Sequence, residues 1–405
     1  PQGTSDAGSN GLALATFLLG DVGHFDRYVS SSLNAAERQK RWFFYGQDTY
    51  RVTPKLTLNY GLRWEIYFPE TVNAKGNGGF ASLETGFIRV GGYGGFGLNG
   101  NVGNNLHSFA PRIGIAYSLN DRTVVRLGYG RSYDMGVFGS NFGHAVTQNL
   151  PVLISQITTA SSVNPGASND IVPAFTLAQG PPPVVFPAIP SNGLIPLQGP
   201  NGDVNTRIRP LHQTLPVIDA WNVTVQRQLT ASTTLELAYV GNRGQHGFAG
   251  DGATYNVNQP YAGPLSVPTA QRRPLYNRYS YPGYIDPTTG GTLLCCSQDL
   301  SNYFGNDANS NYNSLQVKVE KRFTNGFQLL SHYTWSRALH YDNNYFVDNP
   351  AIAYGPDDQN RQHVWVMNLV YDLPFGKGKM FGGGAGRAMD LVIGGWQVSS
   401  TTNWS

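Results

Sequence analysis

Two oxygen-rich stretches are the first places where this chain could hold a ligand. Asn302-Tyr-Phe-Gly-Asn-Asp-Ala-Asn-Ser-Asn311 and Asp342-Asn-Asn-Tyr-Phe-Val-Asp348, the latter followed by Asp357-Asp358, gather the carboxylates and amides that calcium prefers. Neither reproduces the spaced loop of about twelve residues closed by a bidentate acid, so both read as solvated turns. Four of the eight histidines, His246, His332, His340 and His363, fall on separate segments without metal-ligand spacing, and read as polar wall residues. Cys295 and Cys296 are adjacent, too few for a structural zinc site and wrongly spaced for a disulfide framework; a vicinal bridge stays open to them. No nucleophile elbow and no Ser, His and Asp pattern stands out. The expectation is therefore no catalysis, no metal and no cofactor.

Recognition has a better candidate. Tyr255, Tyr261, Tyr276, Tyr279, Tyr281 and Tyr284 crowd one polar stretch beside Arg272, Arg273 and Arg278. Aromatic rings and guanidinium groups on an exposed loop stack on sugars or peptides and pair with anionic groups. Tyr276, Arg272, Arg273, Arg278, Tyr279, Tyr281 and Tyr284 are thus the candidate ligand-capturing residues, with ordinary loop packing as the competing reading.

Such a loop needs a scaffold, and the scaffold is written as strict alternation. In Lys55-Leu-Thr-Leu-Asn-Tyr-Gly-Leu-Arg-Trp-Glu-Ile-Tyr-Phe68, Leu56, Leu58, Tyr60, Leu62, Trp64, Ile66 and Phe68 share one face. Thr57, Asn59, Gly61, Arg63 and Glu65 share the other. Strands of roughly 9–11 residues cross a bilayer at a tilt, and only a closed barrel leaves no unpaired backbone in hydrocarbon. Five hairpins of this kind are expected, at about 42–68, 109–133, 219–243, 312–338 and 362–404. Their turns include Thr53-Pro54, Asn120-Asp121 and Asn325-Gly326, the last among the strongest short hairpin signals. Asp48 falls on the apolar face of the first strand, which implies a nearby bulge or register change. A short element is expected at 11–20, and the last hairpin resumes at Leu391 after a glycine-rich connector.

Between the hairpins lie long polar stretches, about 69–106, 134–215, 245–311 and 339–361. Short turns on one rim and long loops on the other are the asymmetry of an outer-membrane barrel, with the loops extracellular. Composition agrees. Charged residues make up 13%, and 49 glycines and 25 prolines favour strands and turns. A net charge of +3 with scattered Lys and Arg gives no nucleic-acid footprint. No apolar run is long enough to cross a bilayer as a helix. Aromatics gather near strand ends as interfacial girdles do: Trp42, Phe44, Trp64, Phe68, Tyr129, Tyr133, Tyr333 and Trp335. A soluble sandwich or propeller would use the same alternation, but the charged opposite face suits a wet lumen and no four-strand period appears.

Several segments carry a family resemblance. Arg41-Trp-Phe-Phe-Tyr-Gly-Gln-Asp-Thr-Tyr-Arg-Val-Thr-Pro-Lys-Leu-Thr-Leu-Asn-Tyr-Gly-Leu-Arg-Trp-Glu65, Phe109-Ala-Pro-Arg-Ile-Gly-Ile-Ala-Tyr117, Val125-Arg-Leu-Gly-Tyr-Gly130, Tyr312-Asn-Ser-Leu-Gln316, Tyr333-Thr-Trp-Ser336 and Gly394-Gly-Trp-Gln397 occur in this order. Together they resemble the β-barrel of TonB-dependent outer-membrane transporters, specifically the Oar-like group. The resemblance implies an all-β, antiparallel barrel of about twenty-two strands, a size at which a plugged lumen is expected. It also implies outer-membrane lipid as surroundings, an extracellular ligand, and a TonB complex reached through an N-terminal plug region. Neither plug nor TonB box is recognisable in these 405 residues, which read as an internal piece of the barrel. Energised uptake is the expected function, with a passive porin or a surface adhesion scaffold as alternatives.

Overall fold

The computed structural model describes residues 18–134, 145–159, 163, 172–197, 206–212, 214–250, 252, 254–286, 289–342 and 344–405. The element expected at 11–20 lies, up to residue 17, outside the described residues. Ten long strands form one antiparallel sheet: β1 Arg41–Thr53, β2 Leu56–Tyr67, β3 Asn105–Asn120, β4 Thr123–Tyr133, β5 Val217–Gln228, β6 Thr233–Gly247, β7 Ala308–Thr324, β8 Phe327–Tyr341, β9 His363–Asp372 and β10 Gln397–Trp404. Each pairs with its sequence neighbours, from β1 at one edge to β10 at the other. This is the meander of a membrane barrel.

The turns show why the chain reverses where it does. Thr53 Oγ1 accepts the amides of Lys55 and Leu56 at 3.2 and 3.0 Å, so one hydroxyl closes the proline turn. Asn120 Oδ1 accepts the Arg122 amide at 3.0 Å. Asn325 and Gly326 both adopt positive φ, 54° and 74°, the conformation whose twist matches that of the flanking strands. All these turns lie on one rim. The fifth connector, residues 373–396, is on the same rim and is longer than the sequence suggests. Arg387–Ile393 winds into a short helix, so Leu391 is helical and β10 begins only at Gln397.

Register sorts the two faces. Leu58, Ile115, Leu127, Val223, Tyr239, Leu315 and Trp335 lie opposite one another in succession from β2 to β8, an unbroken apolar row across the sheet. One residue along, the row reads Asn59, Gly114, Gly128, Asn222, Val240, Ser314 and Ser336. Leu127, Tyr239 and Trp335 remain 40%, 42% and 51% exposed. Side chains of this size would be buried if the apolar face were a soluble core, so this face meets lipid. The small and polar face is the lumen side.

Asp48 departs from expectation. It stays in register opposite Tyr60, and the Tyr60 hydroxyl donates to its Oδ2 at 3.0 Å. The irregularity falls instead between Arg51 and Thr53, beside the turn. A cross-strand phenol satisfies the acid, so no bulge is needed where it sits.

Candidate functional site

The long connections fold into a cap above the polar wall. Residues Gly79–Ser82, Phe87–Val90 and Leu194–Pro196 form a three-stranded sheet from the first and second long connections. Tyr279–Ile285 and Thr292–Cys295 form a hairpin from the third. These pieces share one core: Ile88, Val90, Leu197 and Ile208 are fully buried, and Tyr281, Leu293, Cys295 and Cys296 pack with them. Cys295 and Cys296 are joined as a vicinal disulfide. The cap is thus a small apolar domain assembled from three loops.

Within it, two buried asparagines act as backbone staples. Asn149 donates to the carbonyls of Gly79 and Arg207 at 2.9 and 2.8 Å and accepts the Arg207 amide at 2.8 Å. Asn258, fully buried, donates to Cys296 and Gln298 carbonyls and accepts the Leu275 amide at 2.9 Å. Each replaces the ladder partners that irregular backbone lacks. Nothing in the sequence separates them from the many turn asparagines.

The aromatic and arginine stretch divides into anchors and surface. Tyr281 is 1% exposed, and its hydroxyl donates to the Gly86 carbonyl at 2.6 Å while accepting the Leu197 amide. Tyr279 donates to the Leu83 carbonyl. Arg273 donates to the Asn258 carbonyl at 2.6 Å and pairs with Asp299; Arg272 donates to the Tyr261 carbonyl and Thr269 hydroxyl. These four tie the third connection to itself and to the first. Tyr276 and Arg278 are exposed, Tyr284 is half-buried, and the Arg278 guanidinium lies 5.8 Å from the Tyr279 ring centre. Burial pushes the Tyr281 and Tyr279 hydroxyls upward, as it does that of Tyr284, so all three stay protonated donors near neutrality.

Against the cap sheet, a cleft is lined by Glu70, Phe80, Arg209, Leu211, Phe248 and Phe304. Arg209 Nη1 meets Glu70 Oε1 at 3.0 Å, with both side chains largely buried. Beside it Glu37 Oε1 accepts the Val146 and Thr147 amides, at 3.1 and 2.7 Å, and the Thr147 hydroxyl at 2.9 Å. Glu37 Oε2 is buried with no hydrogen-bond partner among the described residues. Burial raises this carboxyl to about 7, against the opposing hydrogen bonds from Thr147. Between its ordinary value of 4.5 and about 7, the folded state holds a proton that the unfolded chain has released. The stability that this buried carboxyl lends the folded state is therefore greatest at the acid end of that window and is lost as pH rises through it, although the Thr147 hydrogen bonds themselves favour the ionised form. Amide exchange at Val146 and Thr147, corrected for intrinsic rate, should be slower at about pH 5 than at about pH 8, with Glu37→Gln flattening the difference. Equal protection at both pH values in the parent protein would refute this.

The aromatic positions read from the sequence are distributed along the rim. Trp42 packs on Phe68 at 5.1 Å between ring centres, Phe44 on Trp64 at 5.8 Å, and Trp64 on Phe109 at 5.9 Å. Tyr129 donates to Asp219 at 2.6 Å, and Tyr333 lies 2.7 Å from His363 Nδ1. Trp335 is bare on the outward face, whereas Tyr133 packs beside Tyr67 and Leu215. The fold also brings together a group that sequence spacing misses. Ligand atoms of His340, Asp357 and Asp358 lie within 4.8 Å of one another at the end of β8, the sole such group among the described residues. His340 and Asp357 are half-buried and Asp358 is exposed, and residues Tyr354–Pro356, pairing with β8, carry the two acids to the histidine.

A family model of an outer membrane beta barrel domain matches residues 1–405. A search of curated proteins finds no match. Among solved structures, the alcaligin outer membrane receptor FauA from Bordetella pertussis is 10% identical, with 91% of this chain and 38% of that chain covered at a TM-score of 0.37. Pseudomonas aeruginosa FpvA bound to heterologous pyoverdines is 10% identical, covering 84% and 27% at 0.38. The ferric-catecholate import receptor Fiu from E. coli K12 is 10% identical, covering 84% and 33% at 0.36. The chain spans well under half the length of each of these structures.

Proposed function

Because the chain belongs to the outer membrane beta barrel domain family, we propose that it forms part of the wall and the extracellular cap of a TonB-dependent receptor for energised uptake of a scarce or large ligand. The observation that carries this reading is the cap: three connections share one buried core above a polar wall, a rigid platform on which ligand-capturing groups can be held. The ordered hairpin motifs running from Arg41 to Gln397 support it by their resemblance to TonB-dependent transporters. Tyr276, Arg278 and Tyr284 are the capture groups on the cap surface, while Arg272, Arg273, Tyr279 and Tyr281 position them. Trp42, Phe44, Trp64, Phe68, Tyr129, Tyr333 and Trp335 form the interfacial girdle, with Tyr133 at its upper edge. Partners are outer-membrane lipid, an extracellular ligand and TonB, reached through a plug-bearing region of the receptor.

A plugged receptor and a passive porin differ in resting conductance. The full-length protein in a planar bilayer should show no steady current. A deletion strain should lose growth on the limiting nutrient to the extent that a tonB deletion does. A constant ohmic conductance, or growth unaffected by loss of TonB, would assign the barrel to passive diffusion instead.

A further inference from the structure

On the outward face, strands β4 to β8 each close their apolar run with a ring or a leucine and then turn polar toward the long-loop rim. Tyr129 is followed by Arg131, Trp221 by Asp219, Tyr239 by Gly241 and Arg243, Leu315 by Asn313, and Trp335 by Arg337. Register joins these polar residues across the sheet. Arg131 stands opposite Asp219, Asp219 opposite Arg243, and Asn313 opposite Arg337. Five adjacent strands thus carry a collar immediately above the aromatic belt, with three arginines to one carboxylate.

Asp219 is committed to the wall. Arg131 grips it through Nε and Nη2, both at 2.8 Å, and the Tyr129 hydroxyl donates at 2.6 Å. That fork holds the Arg131 guanidinium against the sheet and leaves Asp219 little capacity for Arg243. Arg243 and Arg337 are exposed and donate no hydrogen bond among the described residues. With strands about 4.8 Å apart and a rise of about 3.4 Å per residue, Arg131 and Arg243 sit roughly 10 Å apart in one row. Arg337, two further strands along and two residues lower, follows at roughly 12 Å. Guanidinium groups fit phosphate in bidentate fashion and are weakly hydrated, so a row of them suits phosphate at a lipid boundary.

We propose that Arg131, Arg243 and Arg337 form a collar that binds the phosphate groups of outer-leaflet lipid and sets the depth and rotational orientation of the wall. The occupant is lipid because the collar lies within two residues of the aromatic belt on the face that meets the bilayer, where a soluble partner has no approach. Asp219 and Tyr129 are positioning residues. The assignment depends on the barrel lying in the outer membrane, not on energised uptake.

The test uses the full-length protein in detergent, with lipid A carrying its phosphates and the same lipid A dephosphorylated as probes, read by native mass spectrometry. The parent protein should retain the phosphorylated form roughly tenfold or more over the other, at about 1 kcal/mol for each arginine near a charged surface. Arg243→Gln with Arg337→Gln should cut that ratio several-fold, leaving only the contribution of Arg131. The lumen-side Arg112→Gln should leave it unchanged, and excess inorganic phosphate should not displace the lipid. An unheated gel-mobility shift in each variant verifies folding. A parent protein indifferent to lipid phosphorylation, a double variant that keeps the preference, or displacement by free phosphate would overturn the proposal.

Discussion

Leu237→Arg should cost the full-length protein about 2–4 kcal/mol of stability in lipid, while Gln316→Arg should leave it nearly unchanged. The two sites are neighbours. Leu237 on β6 faces Val317 on β7, and Gln316 adjoins Val317 in sequence but faces Ala238. A soluble sheet with a buried apolar face would also punish the leucine substitution; the contrast lies in the solvent. Leu237 is 44% exposed on the outward face, flanked there only by its cross-strand neighbours Val225 and Val317, so an arginine there would be easily solvated in water and becomes costly only in hydrocarbon. Reversible denaturation in vesicles, set beside the same variants in detergent of shorter chain length, separates these cases. A penalty confined to Gln316 would invert the assignment of the two faces, and equal tolerance at both positions would refute it.

The wall was legible because a strand repeats its environment every two residues and each hairpin joins neighbours in sequence. Leu56, Leu58, Tyr60 and Leu62 declare their face without knowledge of any distant residue. Helix signals are weaker over seven residues, and the second half of the Arg387–Ile393 helix reads as the start of a strand because Leu391, Val392 and Ile393 form a β-prone run. Asp48 looked like a register fault because sequence gives no view of the Tyr60 hydroxyl across the turn. The cap is a different matter. Ile88, Leu197, Ile208 and Tyr281 come from three connections with no shared period, and their packing is fixed only once the wall has brought the loop ends together. The same holds for His340 with Asp357 and Asp358, which a short strand pairing unites. The tyrosine and arginine cluster was visible as composition, but which of its members are anchors depends on burial that composition does not carry.

That dependence makes the cap separable from the barrel. Tyr281→Ala should open the cap without disturbing the wall. The substitution removes a ring packed edge-on against Phe87 at 5.0 Å and strips the Gly86 carbonyl and the Leu197 amide of their partner. Truncating a buried aromatic costs about 3–5 kcal/mol, and unpartnered backbone groups add to that. The third connection would then keep the Tyr279 bond to the Leu83 carbonyl but lose the largest side chain buried between it and the first. Limited proteolysis should cut within 245–307 in the variant at protease levels that spare the parent, while the unheated gel band, which reports the wall, stays in place. Tyr276→Ala, exposed on the same segment, should leave both readouts as they are and alter only ligand capture. If Tyr281→Ala kept full protease resistance, the shared core would not be what holds the loops. If the folded band vanished as well, cap and wall would be one cooperative unit, and the cap could not act as a surface that moves or adapts while the barrel stays fixed.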